Sequence, residues 1–178
     1  MIEDKSVRLS LIDVMYGVVL GYGFNYYDQI NSTMGYFRFF FAYTIVLIDW
    51  IYVHKLYWQW EYKNNIFFIL DIIILFVFSR IIHDSILNNY NMQAWLSLLF
   101  VIYILWDFAS IKYKLTKSYD LRFSLAGDFF AVSAFFAIWY LSKQILISAL
   151  WGSILSAIIY SIACLSWTKS SLDQKKSE

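Results

Sequence analysis

Two stretches of this chain, Ser85–Trp106 and Gln144–Thr168, contain no charged residue at all. Each exceeds the roughly 20 largely apolar residues that carry a helix across a bilayer. Four more stretches qualify if each is allowed one Asp, with Arg38 and Arg80 near the ends of two of them. The pattern predicts six membrane helices near 9–27, 36–54, 65–82, 93–111, 123–141 and 145–167. A transmembrane β-barrel needs alternating segments of about ten residues, and the run Ile72-Ile73-Ile74-Leu75-Phe76-Val77-Phe78 does not alternate. The chain has no proline, which suits uninterrupted helices.

Composition closes the other classes. Only 15% of the 178 residues are charged, 61% are hydrophobic and 22% aromatic, and the mean hydropathy is +0.56. A soluble domain has no means of hiding so much apolar surface, and disorder is excluded by the same figures. The single Cys164 has no partner for a disulfide. A net charge of +1 argues against a nucleic acid as partner. The expected class is an all-α, polytopic protein of the cell membrane, a single transmembrane domain over residues 1–178.

Lys and Arg set the orientation of such a protein. With six spans, one side holds Lys5, Arg8, Lys55, Lys63, Lys112, Lys114, Lys117, Arg122, Lys169, Lys175 and Lys176, and the other only Arg38, Arg80 and Lys143. Both termini are therefore expected in the cytoplasm. Glu3, Asp4 and Asp13 make the N-terminal segment a poor signal peptide, so the first helix is expected to be an uncleaved anchor. The tail Lys169–Glu178 is expected to be too short to fold, Asn25–Tyr36 and Asn88–Met92 to be short external connections, and Ser142-Lys143-Gln144 to be a tight turn.

Polar residues in the spans follow a pattern. Outgoing helices carry Leu11-Ile12-Asp13-Val14, Ile69-Leu70-Asp71-Ile72 and Ala126-Gly127-Asp128-Phe129, with the aspartates 58 and 57 residues apart. Returning helices carry Asp49-Trp50, Asp107-Phe108 and Ser166-Trp167. This spacing fits a helical hairpin used three times, with the last Asp lost at Ser166, and it equally fits three similar short hairpins without common origin. Asp13, Asp49, Asp71, Asp107 and Asp128 all fall in the cytoplasmic half of the predicted spans. An Asp at a helix centre costs roughly 2.5–3.5 kcal/mol, so these acids need partners or water. Arg8, Arg122, Lys112, His54 and Lys55 lie near the same depth. Arg8 and Asp13 point about 140° apart on one helix, which favours pairing between helices. Two readings stay open. One is an ion-pair network that fixes helix registry; the other is a cation or proton path with an acidic mouth, with an Asp–His relay through His54 as a variant.

Ser10, Asp13, Gly17 and Gly21 share one face of the first helix, and Gly17-Val18-Val19-Leu20-Gly21 permits close helix packing. Trp50, Tyr57, Trp58 and Trp60 read as an inner aromatic belt, and Tyr26, Tyr27 and Tyr36 as an outer one. His54 and His83 are predicted on opposite sides of the membrane and do not share a metal. No nucleophile elbow, P-loop or zinc-protease motif occurs, so no enzyme activity, metal or cofactor is expected.

Arg8-Leu9-Ser10-Leu11-Ile12-Asp13, Trp50-Ile51-Tyr52-Val53-His54-Lys55-Leu56-Tyr57 and Phe68-Ile69-Leu70-Asp71-Ile72-Ile73 resemble segments of bacterial members of the endolysosomal-type potassium channel family. The first is one residue shorter than the family's Arg-x-x-x-Phe-Ser-Asp signature and lacks its Phe-Ser. The second keeps one histidine of a pair, and the third has Asp71 in place of Asn. The resemblance covers the N-terminal half. It implies a six-helix inner-membrane homo-oligomer, a tetramer whose first helices line a central pore, with pore-facing positions among Ile12, Met15 and Val19. The expected function is conduction or translocation of a small cation. The alternative is a non-conducting membrane scaffold that recruits a cytoplasmic protein through its basic inner loops, where Lys112–Arg122 equally suits anionic lipid headgroups.

Overall fold

The structure, a computed structural model, describes residues 2–59, 65–87, 91–113 and 121–176, and gives only the backbone course of 2–6, 55–59 and 169–176. It is all-α: six helices, no strand among the described residues, and a short 3-10 turn at Tyr27–Gln29. The helices are α1 (Ile2–Phe24), α2 (Thr33–Gln59), α3 (Asn65–Ile86), α4 (Asn91–Lys112), α5 (Arg122–Lys143) and α6 (Ala149–Lys176). All six are long and apolar enough to cross a membrane. At 1.5 Å per residue the shortest, of 22 residues, spans about 33 Å, slightly more than the hydrocarbon thickness of about 30 Å.

The six predicted helices are found with boundaries displaced by up to nine residues, and three of the differences matter. The tail expected not to fold continues α6 to Lys176, because Lys, Gln and Leu propagate a helix well once it has begun. Helix α3 runs on to Ile86, which brings Asp84 and Ser85 inside it, 2% and 0% exposed. The predicted turn at Ser142-Lys143-Gln144 is the end of α5; the chain reverses just beyond it, where Ile145 takes φ 60°. Left-handed backbone is unfavourable for a β-branched residue. The connection at 88–90, the loop lysines Lys63, Lys114 and Lys117, and Trp60 lie outside the described residues, as do the side chains of Lys5, Lys55, Tyr57, Trp58, Lys169, Lys175 and Lys176.

The chain divides into two compact units, Met1–Met92 and Gln93–Glu178. In the first, α1 turns Ile12, Tyr16, Val19 and Gly23 inward, one residue per turn along one stripe. The Tyr16 ring meets Phe78 of α3 at 6.2 Å, and the Phe24 and Phe39 rings meet Tyr43 of α2 at 4.9 and 4.4 Å. Gly23 marks the close approach. A Cβ there would collide with the Tyr43 hydroxyl and stand 2.6 Å from Ile82 Cγ2. The Tyr43 hydroxyl donates to the Leu20 carbonyl, satisfying itself without leaving the interface.

This arrangement corrects two expectations about α1. Ile12 and Val19, pore-facing by the resemblance, are 0% and 8% exposed within the chain. Gly17 and Gly21 make no close packing in the chain, since nothing lies within 4 Å of a Cβ built at either. The helix turns its apolar stripe inward and leaves Ser10, Asp13, Gly17 and Gly21 on the exposed side.

The second unit is held by aromatic and small residues. Phe100 of α4 lies 5.5 Å from the Phe135 ring of α5, and 6.2 and 5.8 Å from the Tyr160 and Trp167 rings of α6. Helices α5 and α6 touch where Gly127 faces Ser166. A Cβ on Gly127 would overlap the Ser166 hydroxyl and stand 2.8 Å from its Cβ. Gly127→Val should therefore lower the stability of the detergent-solubilised protein by about 1–3 kcal/mol, whereas Gly21→Ala should leave it unchanged or raise it by up to about 1 kcal/mol. Thermal unfolding of both variants checks the contrast.

Candidate functional site

The aspartates predicted from the sequence divide between the units, Asp13, Asp49 and Asp71 in the first and Asp107 and Asp128 in the second. In the first unit Asp13 lies on the exposed face of α1, not in the interior expected for it. Its side chain is 44% exposed, and His54 Nε2 lies 2.9 Å from its Oδ1. Trp50, one turn before His54 on α2, donates its indole N–H to the same oxygen at 3.0 Å. The two rings meet at 4.6 Å, tilted by 56°, so the indole helps to fix the imidazole. The pairing is between helices, as the angular mismatch of Arg8 and Asp13 predicts. Arg8 instead reaches Asn65 Oδ1 of α3 at 3.0 Å.

Behind this pair lies a second carboxylate. Asp49 is 5% exposed and accepts the Tyr16 hydroxyl at 2.5 Å. Tyr16 follows Asp13 by three residues and stands about 60° round α1 from it, which is enough to bury Tyr16 and leave Asp13 exposed at the edge of the packed stripe. Asp71 on α3 is likewise 5% exposed and is engaged by its surroundings.

The second unit buries its acids more completely. Asp107 of α4 accepts the Ser124 hydroxyl of α5 at 2.8 Å. Asp128, one turn further along α5, is 1% exposed and accepts the Trp167 indole N–H of α6 at 2.8 Å through Oδ1. Its other oxygen, Oδ2, is buried with no hydrogen-bond partner among the described residues. The two carboxyl groups are near enough to repel one another. Arg122, expected near the same depth as the acids, is exposed and lies over the Phe123 ring at 4.7 Å. Two acids and two neutral donors, Ser124 and Trp167, make up this site as described, and a cation or a proton is what would balance it.

Trp50 and Trp167 were expected, respectively, as a belt residue and as a repeat marker; both prove to be carboxylate donors. The contacts are equivalent: a Trp on the returning helix of the first and third hairpins donates to the Asp of its outgoing helix. The recurring Trp after Asp49 and Ser166 was the available signal. The roles of Tyr16 and Ser124 had no signal beyond their spacing from Asp13 and Asp128. Arg38 (0% exposed) and Asp84 also escape the predicted pattern, since they place buried charge far from the Asp13 end of their helices. His83 faces Asp84 at 3.4 Å, while His54 serves Asp13, so the two histidines are used apart. Among the described residues no three metal-ligating side chains converge.

Comparison with protein-family models, with curated proteins and with solved structures finds no match.

Removing an indole donor separates the two clusters. Trp167→Phe strips a buried carboxylate of its partner and should cost about 1–3 kcal/mol. Trp50→Phe leaves Asp13 with His54 and with solvent-side access, and should cost less than about 1 kcal/mol. A Trp167→Phe, Asp128→Leu double variant should be more stable than the sum of the single effects allows. Denaturation midpoints in one detergent test all three.

Proposed function

We propose that this polytopic all-α membrane protein conducts or translocates a small cation as a homo-oligomer, in the manner of the potassium channels that its N-terminal half resembles. The observation that carries the reading is the Asp107–Asp128 pair: two buried carboxylates at one level, one oxygen of which has no partner among the described residues. Intramembrane acids of this kind mark ion and proton pathways, because a merely structural acid is costly unless fully paired. Asp13 and His54 add an exposed acid–imidazole pair, suited to meeting a cation or relaying a proton at the pathway's mouth. The bias of basic residues supports cytoplasmic termini, which puts both clusters toward the cytoplasm. Oligomerisation through α1 would present Ser10, Asp13, Gly17 and Gly21 to the axis, since Ile12 and Val19 are used inside the chain.

Flux through liposomes containing the purified protein tests this. A potassium or proton gradient should dissipate, and Asp128→Asn and Asp107→Asn should each slow the dissipation at least about tenfold, a barrier change of about 1.4 kcal/mol, while the protein still elutes at its native size. Asp13→Asn should slow it less. No flux for the wild-type protein under any pH or salt gradient removes the proposal. Retained flux in both buried variants reassigns the carboxylates to helix registry.

A further inference from the structure

Asp107 and Asp128 belong to different helices but meet at one place. Ser124 and Asp128 share a face of α5, one turn apart, with a rise between them of about 6 Å. Ser124 holds Asp107 of α4 through a 2.8 Å hydrogen bond, so the two carboxyl groups are separated by about one helical turn. Asp107 is 7% exposed and Asp128 1%. Ser124 occupies Oδ2 of Asp107, and the Trp167 indole of α6 occupies Oδ1 of Asp128, both at 2.8 Å. Asp128 Oδ2 is left buried with no hydrogen-bond partner among the described residues.

The surroundings are apolar and tightly closed. The rings of Phe100, Tyr103 and Tyr160 stand 5.8, 5.2 and 6.3 Å from the Trp167 ring. Beside Asp128, α5 and α6 approach so closely at Gly127 that a Cβ there would lie 2.8 Å from Ser166 Cβ. The basic residues nearest in sequence turn elsewhere. Lys112 of α4 and Arg122 of α5 are exposed and lie over the Tyr113 and Phe123 rings at 5.8 and 4.7 Å. Two ionised carboxylates so placed repel one another where burial already penalises each.

We infer that Asp107 and Asp128 bind a single proton between them, and that the positive charge this site takes is a proton and not a metal cation. On the proposed reading of the pair as the site of a small cation, on which this rests, that cation is the proton. The donor set decides. A metal cation needs several oxygens that turn lone pairs towards it, as when carbonyls replace the hydration shell of potassium. Here one oxygen of each acid already faces a donated hydrogen, and the indole N–H has no lone pair to give. No three metal-ligating side chains converge among the described residues. A proton needs one oxygen and no cavity, and Asp128 Oδ2 is that oxygen. Its protonation takes the pair from two negative charges to one. The Ser124 and Trp167 hydrogen bonds stay on the oxygens they already hold.

Infrared spectroscopy of the full chain in lipid, combined with liposome flux, tests the assignment. At neutral pH the wild-type protein should show the carbonyl stretch of an undissociated carboxylic acid, moved to lower frequency in deuterium oxide. Asp107→Asn and Asp128→Asn should each remove this band, because one acid beside a neutral amide carries the same single negative charge with no proton. At equal driving force protons should cross faster than potassium, and Asp128→Asn should slow the proton flux at least about tenfold. A wild-type protein without the band overturns the inference, as does a band undiminished in both variants. Potassium crossing as fast as protons, and slowed by Asp128→Asn, also overturns it while leaving the cation pathway in place. The band behaving as stated with no flux of either ion upholds the bound proton and removes the pathway instead. Should one variant fail to elute at its native size, the band in the other decides.

Discussion

A carboxylate inside an apolar helix must be given a hydrogen-bond donor, and much of this molecule is arranged around that requirement. The chain places acids at helix centres, where each costs a few kcal/mol if left alone. It answers chiefly with neutral donors. Tyr16 serves Asp49, Ser124 serves Asp107, Trp167 serves Asp128, and Trp50 serves Asp13 together with His54. Each donor stands on a different helix from its acid, so each bond fixes the rotation and depth of one helix against another. Packing that is otherwise built from interchangeable Phe, Ile and Leu side chains acquires a defined register in this way.

The neutral donors leave a consequence for charge. An arginine beside a carboxylate cancels its charge; an indole or a hydroxyl stabilises that charge without cancelling it. In the second unit Asp107 and Asp128, buried close to one another, therefore need a proton or a cation, since two uncompensated charges are too costly in so apolar a setting. Such a site is poised to take up a positive charge, which an ion-pair network would not be. The first unit differs in degree, because His54 offers Asp13 a partner whose charge changes with its protonation.

Helix number and approximate extent were legible in the sequence because uncharged runs of bilayer length have few alternatives. The position of each acid along its helix was legible too, because it follows from where the helix begins and ends. What each acid touches was not. Asp13 shares its face with Ser10, Gly17 and Gly21, a pattern that in a membrane helix reads as interior. The structure instead packs the stripe of Ile12, Tyr16 and Val19, since both faces are apolar enough to be buried and only the shapes of α2 and α3 decide between them. Gly23 and Gly127 form the close contacts, although neither belongs to the GxxxG pattern, because contact depends on what stands opposite. The extension of α3 to Ile86 was hidden by Asp84, a charge that reads as a span boundary and is in fact buried.

The Trp–Asp contacts, taken with the two compact units, say something about how the chain is put together. The contacts recur in the first hairpin (α1, α2) and the third (α5, α6), but the units divide at Met92, inside the second. The middle hairpin is thus shared out: α3 completes the first unit and α4 the second. The resulting order is hairpin then single helix, followed by single helix then hairpin, a palindrome rather than a tandem repeat. In such an arrangement the two flanking hairpins keep the same latch while the two middle helices are free to diverge.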